Sequence, residues 1–202
     1  MKVEIKQSRG DGRVLTIGEF TAKVDSRFIE DCGYKNDDDI DGEELEALKG
    51  AASSRAAFLG AMRLLGVRDY GSRELVRKLR EKGHRAEYAS EAVRKAEKMG
   101  LIDDESYAIS LARRLFESKN WSLGRVRSEL ISRGISAEIA DIAVENIDNE
   151  PVLRIIDILD KKFSGKLEDE KGAARAVNRL RSLGYGWADI SAALDEVRRR
   201  DE

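Results

Sequence analysis

Residues 75–93 read LVRKLREKGHRAEYASEAV, and the phrase returns as VRSELISRGISAEIADIAV at 126–144 and AVNRLRSLGYGWADISAAL at 176–194. The three align on Gly83, Gly134 and Gly184, spaced 51 and 50 residues apart. Eight residues before each glycine stand Leu75, Val126 and Ala176, and four before stand Leu79, Leu130 and Leu180. Six after stand Ala89, Ala140 and Ile190, and ten after stand Val93, Val144 and Leu194. Apolar residues four apart share one helix face. A glycine between two such pairs supplies the left-handed residue that ends the first helix. Any amphipathic helix pair repeats at four, so the matched spacing across the turn is what decides: this is a tandem helical repeat. Repeats of this size are built to bind along something long.

Working outward, each phrase gains a third helix. In the first repeat, Phe58, Leu59, Met62 and Leu65 give a helical face from about Ser53 to Gly66, followed by helices at about Ser72–Lys82 and Ala86–Met99. The second opens at Asp103-Asp104-Glu105, carboxylates suited to a helix N-terminus, with helices at about Asp104–Glu117, Ser122–Arg133 and Ser136–Ile147. The third opens at Pro151, a good first-turn residue. It runs to about Phe163, loops through Ser164-Gly165-Lys166, and continues at about Glu168–Leu183 and Trp187–Arg200. The first fifty residues differ in kind. Val3 and Ile5 alternate with charge, Arg9–Gly12 is a turn signal, Val14–Ile17 is extended, and Phe20–Val24 suits another strand. A small β-hairpin or three-stranded sheet is expected there, needing support from its neighbours, then an acidic loop at Asn36–Glu44 and a helix at about Glu43–Lys49. The expected architecture is mainly α: a β-rich extension at 1–50 and three-helix repeats at 51–100, 101–148 and 149–202.

Bulk properties agree. The 202 residues are 41% hydrophobic and 38% charged, a balance that suits small bundles strung in a row. The single Cys32 excludes an internal disulfide, and no run is long and apolar enough for a bilayer or a signal peptide, so the cytoplasm is expected. The overall charge of −2 conceals a pattern: −5 over residues 1–50, +6 over 51–100, −4 over 101–150 and +1 over 151–202. The first repeat is a cationic body able to find nucleic acid or an acidic protein groove through its field.

No catalytic constellation emerges. Asp37-Asp38-Asp39-Ile40-Asp41-Gly42 starts like a calcium loop, but the twelfth position is Leu48 where a bidentate carboxylate is required. It is read as a solvated acidic loop. His84 and Cys32, the only residues of their kinds, fall in different predicted domains and cannot build a zinc or nucleophile site. His84 is read as an exposed linker residue. Glu4-Ile5-Lys6 has the acid-x-lysine form of metal-dependent nucleases, explained more simply by alternation on an exposed strand. No phosphate loop occurs. No enzyme activity, metal or cofactor is expected.

Arginine dominates the basic stretches. Arg63, Arg68, Arg73, Arg77, Lys78, Arg80, Lys82 and Arg85 fall within 23 residues, and Arg113, Arg114, Lys119, Arg125, Arg127 and Arg133 surround Trp121. Arginine favours planar, bidentate contact with phosphates or carboxylates. The plainer reading is a solvated helix face. Tyr70 and Trp121 occupy equivalent places before the second helix, suiting them to pack into their own bundle or to anchor a partner.

Four blocks carry a family resemblance: YGSRELVRKLREKG at 70–83, MGLIDDESYA at 99–108, NWSLGRVRSELISRGI at 120–135 and LRSLGYGWADISAAL at 180–194. Together they span about residues 55–198, and they resemble the RecX family of bacterial regulators of the RecA recombinase. Two departures stand out. The family's glycine-aromatic-glycine-proline becomes Asn120-Trp121-Ser122-Leu123, and Lys171 replaces the third repeat's aromatic. The resemblance implies an elongated, curved helical protein lying in the groove of the RecA–single-stranded DNA filament. It implies inhibition of ATP hydrolysis, strand exchange and filament growth, hence regulation of recombination, DNA repair and the SOS response. A monomer is the expected state. Arg73, Arg77, Arg80, Arg113, Arg114, Trp121, Arg125 and Arg127 are the candidate contacts to RecA, or to single- or double-stranded DNA through the first two repeats. A helical nucleic-acid-binding protein acting without RecA is the alternative.

Overall fold

In the computed structural model, which describes residues 1–165, 167 and 169–201, alternation in the first 25 residues yields β1 (Val3–Gln7), β2 (Gly12–Ile17) and β3 (Phe20–Asp25). They pair antiparallel in the order β1-β2-β3. The register sets Ile5 opposite Leu15 and Leu15 opposite Ala22, so one face is apolar. That face is covered by α1 (Ser26–Cys32) and the first part of α2 (Gly42–Leu65), burying Val3, Leu15, Ile17, Val24, Leu45 and Leu48 in one core.

Three expectations for this region change. The short α1 was not foreseen; Asp25 starts it by accepting from the Phe28 amide at 3.2 Å. The helices expected at Glu43–Lys49 and from Ser53 are a single α2, because Gly50 and the alanines around it interrupt nothing in its hydrogen-bond ladder. The acidic loop is not merely solvated. Val3 donates to the Asp38 carbonyl at 3.0 Å, Asp37 donates to Val3 at 2.9 Å, and Lys2 pairs with Asp39 at 2.8 Å. Asp41 caps α2 in a reciprocal capping box with Glu44, which accounts for the last carboxylate of the run.

The remaining helices follow the repeats: α3 (Ser72–Glu81) and α4 (Ala86–Lys98); α5 (Asp104–Lys119), α6 (Leu123–Ser132) and α7 (Ala137–Glu145); α8 (Pro151–Phe163), α9 (Glu170–Ser182) and α10 (Trp187–Asp201). Lys166 of the expected loop and Glu168, expected to open α9, lie outside the described residues; Asp169 caps α9 by accepting from Gly172 at 2.7 Å. The chain divides into two units, Met1–Asp103 and Asp104–Glu202. Within the first, the sheet core is followed by a bundle core around Leu75, Leu79, Ala89 and Val93. The second holds a core around Leu111, Val126, Leu130 and Ala140, then one around Ile155, Leu180 and Ile190. Eleven of the twelve apolar repeat positions are buried and Val144 packs against its core from the edge, so the periodicity reports the interior of three successive three-helix bundles. Each buried leucine contributes about 1.5–3 kcal/mol relative to exposure.

Candidate partner-binding surface

Each repeat glycine ends its helix in the same way. Gly83, Gly134 and Gly184 have φ of 92°, 95° and 93°. Their amides donate to Arg80, Ile131 and Arg181 at 2.9 Å each, and the next residues, His84, Ile135 and Tyr185, donate to Leu79, Leu130 and Leu180 at 3.1, 3.1 and 3.2 Å. This pair of bonds is the Schellman arrangement, in which the residue after the glycine turns inward. Ile135 and Tyr185 are buried accordingly. His84 is half-buried, which corrects its reading as an exposed linker, and burial, reinforced by Arg63 and Lys82, holds its imidazole below the usual range.

The candidate arginines fall into two kinds. On α3, Arg73, Arg77 and Arg80 share the solvent face opposite Leu75 and Leu79. Arg73 and Arg80 form no ion pair among the described residues, and Arg77 reaches Glu81 only at 3.8 Å. Arg77, Arg80 and Arg85 line a shallow depression of about 540 Å³ beside Gly83. Arg113 and Arg114 are exposed on α5, likewise without an ion pair among the described residues. The others are engaged within the second unit. Arg127 binds Asp141 of α7 through both carboxylate oxygens, and hydrogen bonding from its guanidinium, reinforced by its charge, holds Asp141 below the ordinary carboxylate range. Arg125 lies 4.1 Å from the centre of the Trp121 ring.

Trp121 itself packs against the cores of both the second and the third bundle. At this joint Ser122 donates its amide to Leu183 at 2.9 Å and its hydroxyl to the Gly184 carbonyl at 2.8 Å, while that hydroxyl caps α6 by accepting from Arg125 at 3.2 Å. Arg154 of α8 completes the joint, donating to the Phe116 carbonyl and stacking 3.7 Å over the Phe116 ring. Asn120 makes the entry turn with φ of 56°, the left-handed geometry that asparagine tolerates among non-glycine residues. Tyr70, the counterpart of Trp121, is buried in the first bundle under the Arg68 guanidinium, 3.7 Å from its ring centre.

Sequence reasoning missed Ser122, Arg154 and the Asp25–Arg55 pair, a bidentate contact that holds the Asp25 carboxyl below its ordinary range. Only Ser122 left a signal, as a serine opening a predicted helix. Among the described residues, no group of three or more metal-ligating side chains is found, and no helix is long and apolar enough to cross a membrane.

The comparisons with known proteins converge on one family. A family model described as the second three-helix domain of RecX matches residues 103–144. The regulatory protein RecX of Vibrio campbellii is 32% identical over 66% of this chain and 86% of its own. That of Caldanaerobacter subterraneus is 29% identical over 94% of both chains. A crystal structure of a regulatory protein RecX shares the fold with a TM-score of 0.66 at 19% identity, covering 96% of this chain and 98% of that one. The RecX structure from Lactobacillus salivarius gives 0.61 at 21%, covering 73% and 98%.

Proposed function

We propose, from the premise that this chain belongs to the RecX family of regulatory proteins, that it binds the RecA–single-stranded DNA filament and slows ATP hydrolysis, strand exchange and filament growth. The observation that supports this most is the division among the arginines. Arg73, Arg77 and Arg80 on α3 and Arg113 and Arg114 on α5 keep their guanidinium groups in solvent, whereas Arg125 and Arg127 are occupied inside their unit. Exposed arginines on rigid helices suit an acidic groove or phosphates, and they raise association rates as well as affinity. Binding alone reshapes a filament, so no bond-making chemistry is required of the protein.

The test is RecA-catalysed ATP hydrolysis on single-stranded DNA. The expected result is inhibition at or below one molecule per RecA, relieved when Arg73, Arg77 and Arg80 are together replaced by glutamate, with helicity unchanged. Unaltered hydrolysis and filament length at equimolar protein would remove the proposal. A second reading, a helical nucleic-acid-binding protein acting alone, is favoured by the +6 charge of residues 51–100. It requires tight binding to DNA without RecA, with an affinity that falls steeply as salt rises.

A further inference from the structure

The two edges of the sheet are treated differently. The outer edge of β1 is covered by the strap at Asn36–Asp39, through the bonds between Val3 and residues 37 and 38. Among the described residues, no backbone segment bonds to the outer edge of β3 in this way. Ser26 donates to the Asp11 carbonyl at 2.8 Å, which makes that pair hydrogen-bonded. Counting back by twos along the unbroken register, Val24, Ala22 and Phe20 exchange bonds with β2. The amides and carbonyls of Thr21 and Lys23 therefore point away from the sheet, and among the described residues no backbone bond outside the β2–β3 ladder reaches either of them. The devices that usually protect an edge are sparse here: no proline and no bulge, with Lys23 the only charge in the middle of the strand.

This edge borders a groove of about 790 Å³ within the first unit, walled on the other side by α2 and the Gly83 turn. The floor is apolar where Ala56 and Gly60 meet it, and Gly60 is closely approached: a Cβ there would lie 3.0 Å from His84 Nε2 and 3.1 Å from Leu79, so those side chains would have to give by a few tenths of an ångström. The lining includes Lys23, Arg63, Lys82 and Arg85 and, among the described residues, no carboxylate. Burial is the main force opposing protonation of His84, and the nearby charges of Arg63 and Lys82 add to it.

We propose that this groove receives an extended acidic segment of a partner protein, which pairs with Thr21 and Lys23 as a fourth strand while its carboxylates meet Lys23, Arg63 and Lys82. The argument for a peptide over a nucleic-acid strand is chemical. Phosphate oxygens only accept hydrogen bonds, so the outward carbonyls of Thr21 and Lys23 would face them without a donor. A peptide backbone offers amides and carbonyls in the alternation that a free strand edge requires. The inference goes beyond the filament reading: it concerns the edge of β3, which that reading does not use, and its test uses no RecA.

The full-length, ¹⁵N-labelled protein is titrated with acetyl-(Glu-Val)₄-amide as the probe. Shift changes and slowed hydrogen exchange are expected at the Thr21 and Lys23 amides, with shifts at Gly83 and His84. A probe N-methylated at alternate residues is expected to bind at least tenfold more weakly, which tests strand pairing without altering the protein. The combined Lys23→Glu and Arg63→Glu variant is expected to lose about tenfold for the unmodified probe, and (Lys-Val)₄ is expected to leave the spectrum unchanged. Equal binding of the N-methylated probe, perturbation confined to another surface, or stronger occupancy by a dT₈ oligonucleotide would each overturn the proposal.

Discussion

The Gly83 and Gly184 turns are the same backbone device placed in opposite company. Their φ angles agree within a degree, and each makes the same two capping bonds. A Cβ added at Gly83 would meet nothing within 4 Å, while one at Gly184 would lie 2.6 Å from Ser122 Oγ and 2.7 Å from Arg125 Cβ. The third repeat's turn is thus a joint, seated against the start of α6. The first repeat's turn is an open surface rimmed by Arg77, Arg80 and Arg85. A motif's spacing states how a helix ends; its neighbours decide whether that end packs or binds.

The largest expected effect contrasts the two glycines directly. At both sites alanine must adopt the left-handed region, at about 1–2 kcal/mol. Only Gly184→Ala also drives a Cβ into the Ser122 and Arg125 side chains, adding about 1–3 kcal/mol of overpacking. Urea unfolding followed by tryptophan fluorescence reports the second unit, since Trp121 and Trp187 both lie there. Circular dichroism and hydrogen exchange follow Gly83→Ala in the first. Equal losses at the two sites would mean that the joint relaxes freely and that the contrast has no energetic content.

The next effect is smaller and isolates the joint from ordinary capping. Ser122 and Ser136 both cap their helices, accepting from residues three positions on at 3.2 and 3.3 Å. Replacing Ser136 by alanine is expected to remove about 1 kcal/mol. Ser122→Ala also deletes the bond to the Gly184 carbonyl, so about 1–2 kcal/mol is expected. If both substitutions destabilise the second unit equally, that hydroxyl contributes a cap and nothing more.

Much of this fold was legible because burial writes itself at a fixed period. The Leu75–Leu79 pair and its relatives announce three bundles, and the alternation around Val14–Ile17 announces the strands. What stayed hidden depends on contacts distant in sequence. Asp25 meets Arg55 across 30 residues and Arg154 meets Phe116 across 38, with no local signal at either end. The apolar period of 3.6 is clear only from about Ser53, so the sequence suggests two helices where α2 runs unbroken; Gly50 lies in its interior, where tertiary packing offsets its roughly 1 kcal/mol cost. Among the candidate contacts, residue type picked out the arginines. Only their surroundings separated the solvent-facing ones from Arg125 beneath Trp121 and Arg127 beside Asp141.

Charge substitutions should sort the same way at a smaller scale. Arg127→Ala breaks a half-exposed, solvent-screened pair and is expected to cost a small but measurable amount of stability. Arg80→Ala, with no ion pair to lose among the described residues, should fall within about 0.5 kcal/mol of zero while weakening filament binding. A stability loss at Arg80 matching that at Arg127 would mean its charge is engaged in the fold, which would weaken its assignment as a contact.

The smallest effect returns to the two turns through pH. The residue after each glycine is turned inward, but it is His84 in one and Tyr185 in the other. The imidazole titrates below its ordinary range because burial and the charges of Arg63 and Lys82 disfavour the proton. Between its folded and unfolded values the unfolded chain binds more protons, so the first unit loses stability as pH falls below about 6.5. The loss levels off once the folded imidazole is also protonated. Burial raises the Tyr185 hydroxyl instead, so the second unit's corresponding loss begins only as pH rises past about 10. Asp25, held low by Arg55, gives a further decline that starts below about pH 4 and is separate from the histidine step. Hydrogen exchange of the first bundle between pH 7.5 and 5 should therefore show a decline that His84→Leu abolishes. A decline that survives the substitution would assign the acid sensitivity elsewhere, and the two turns would then differ in packing alone.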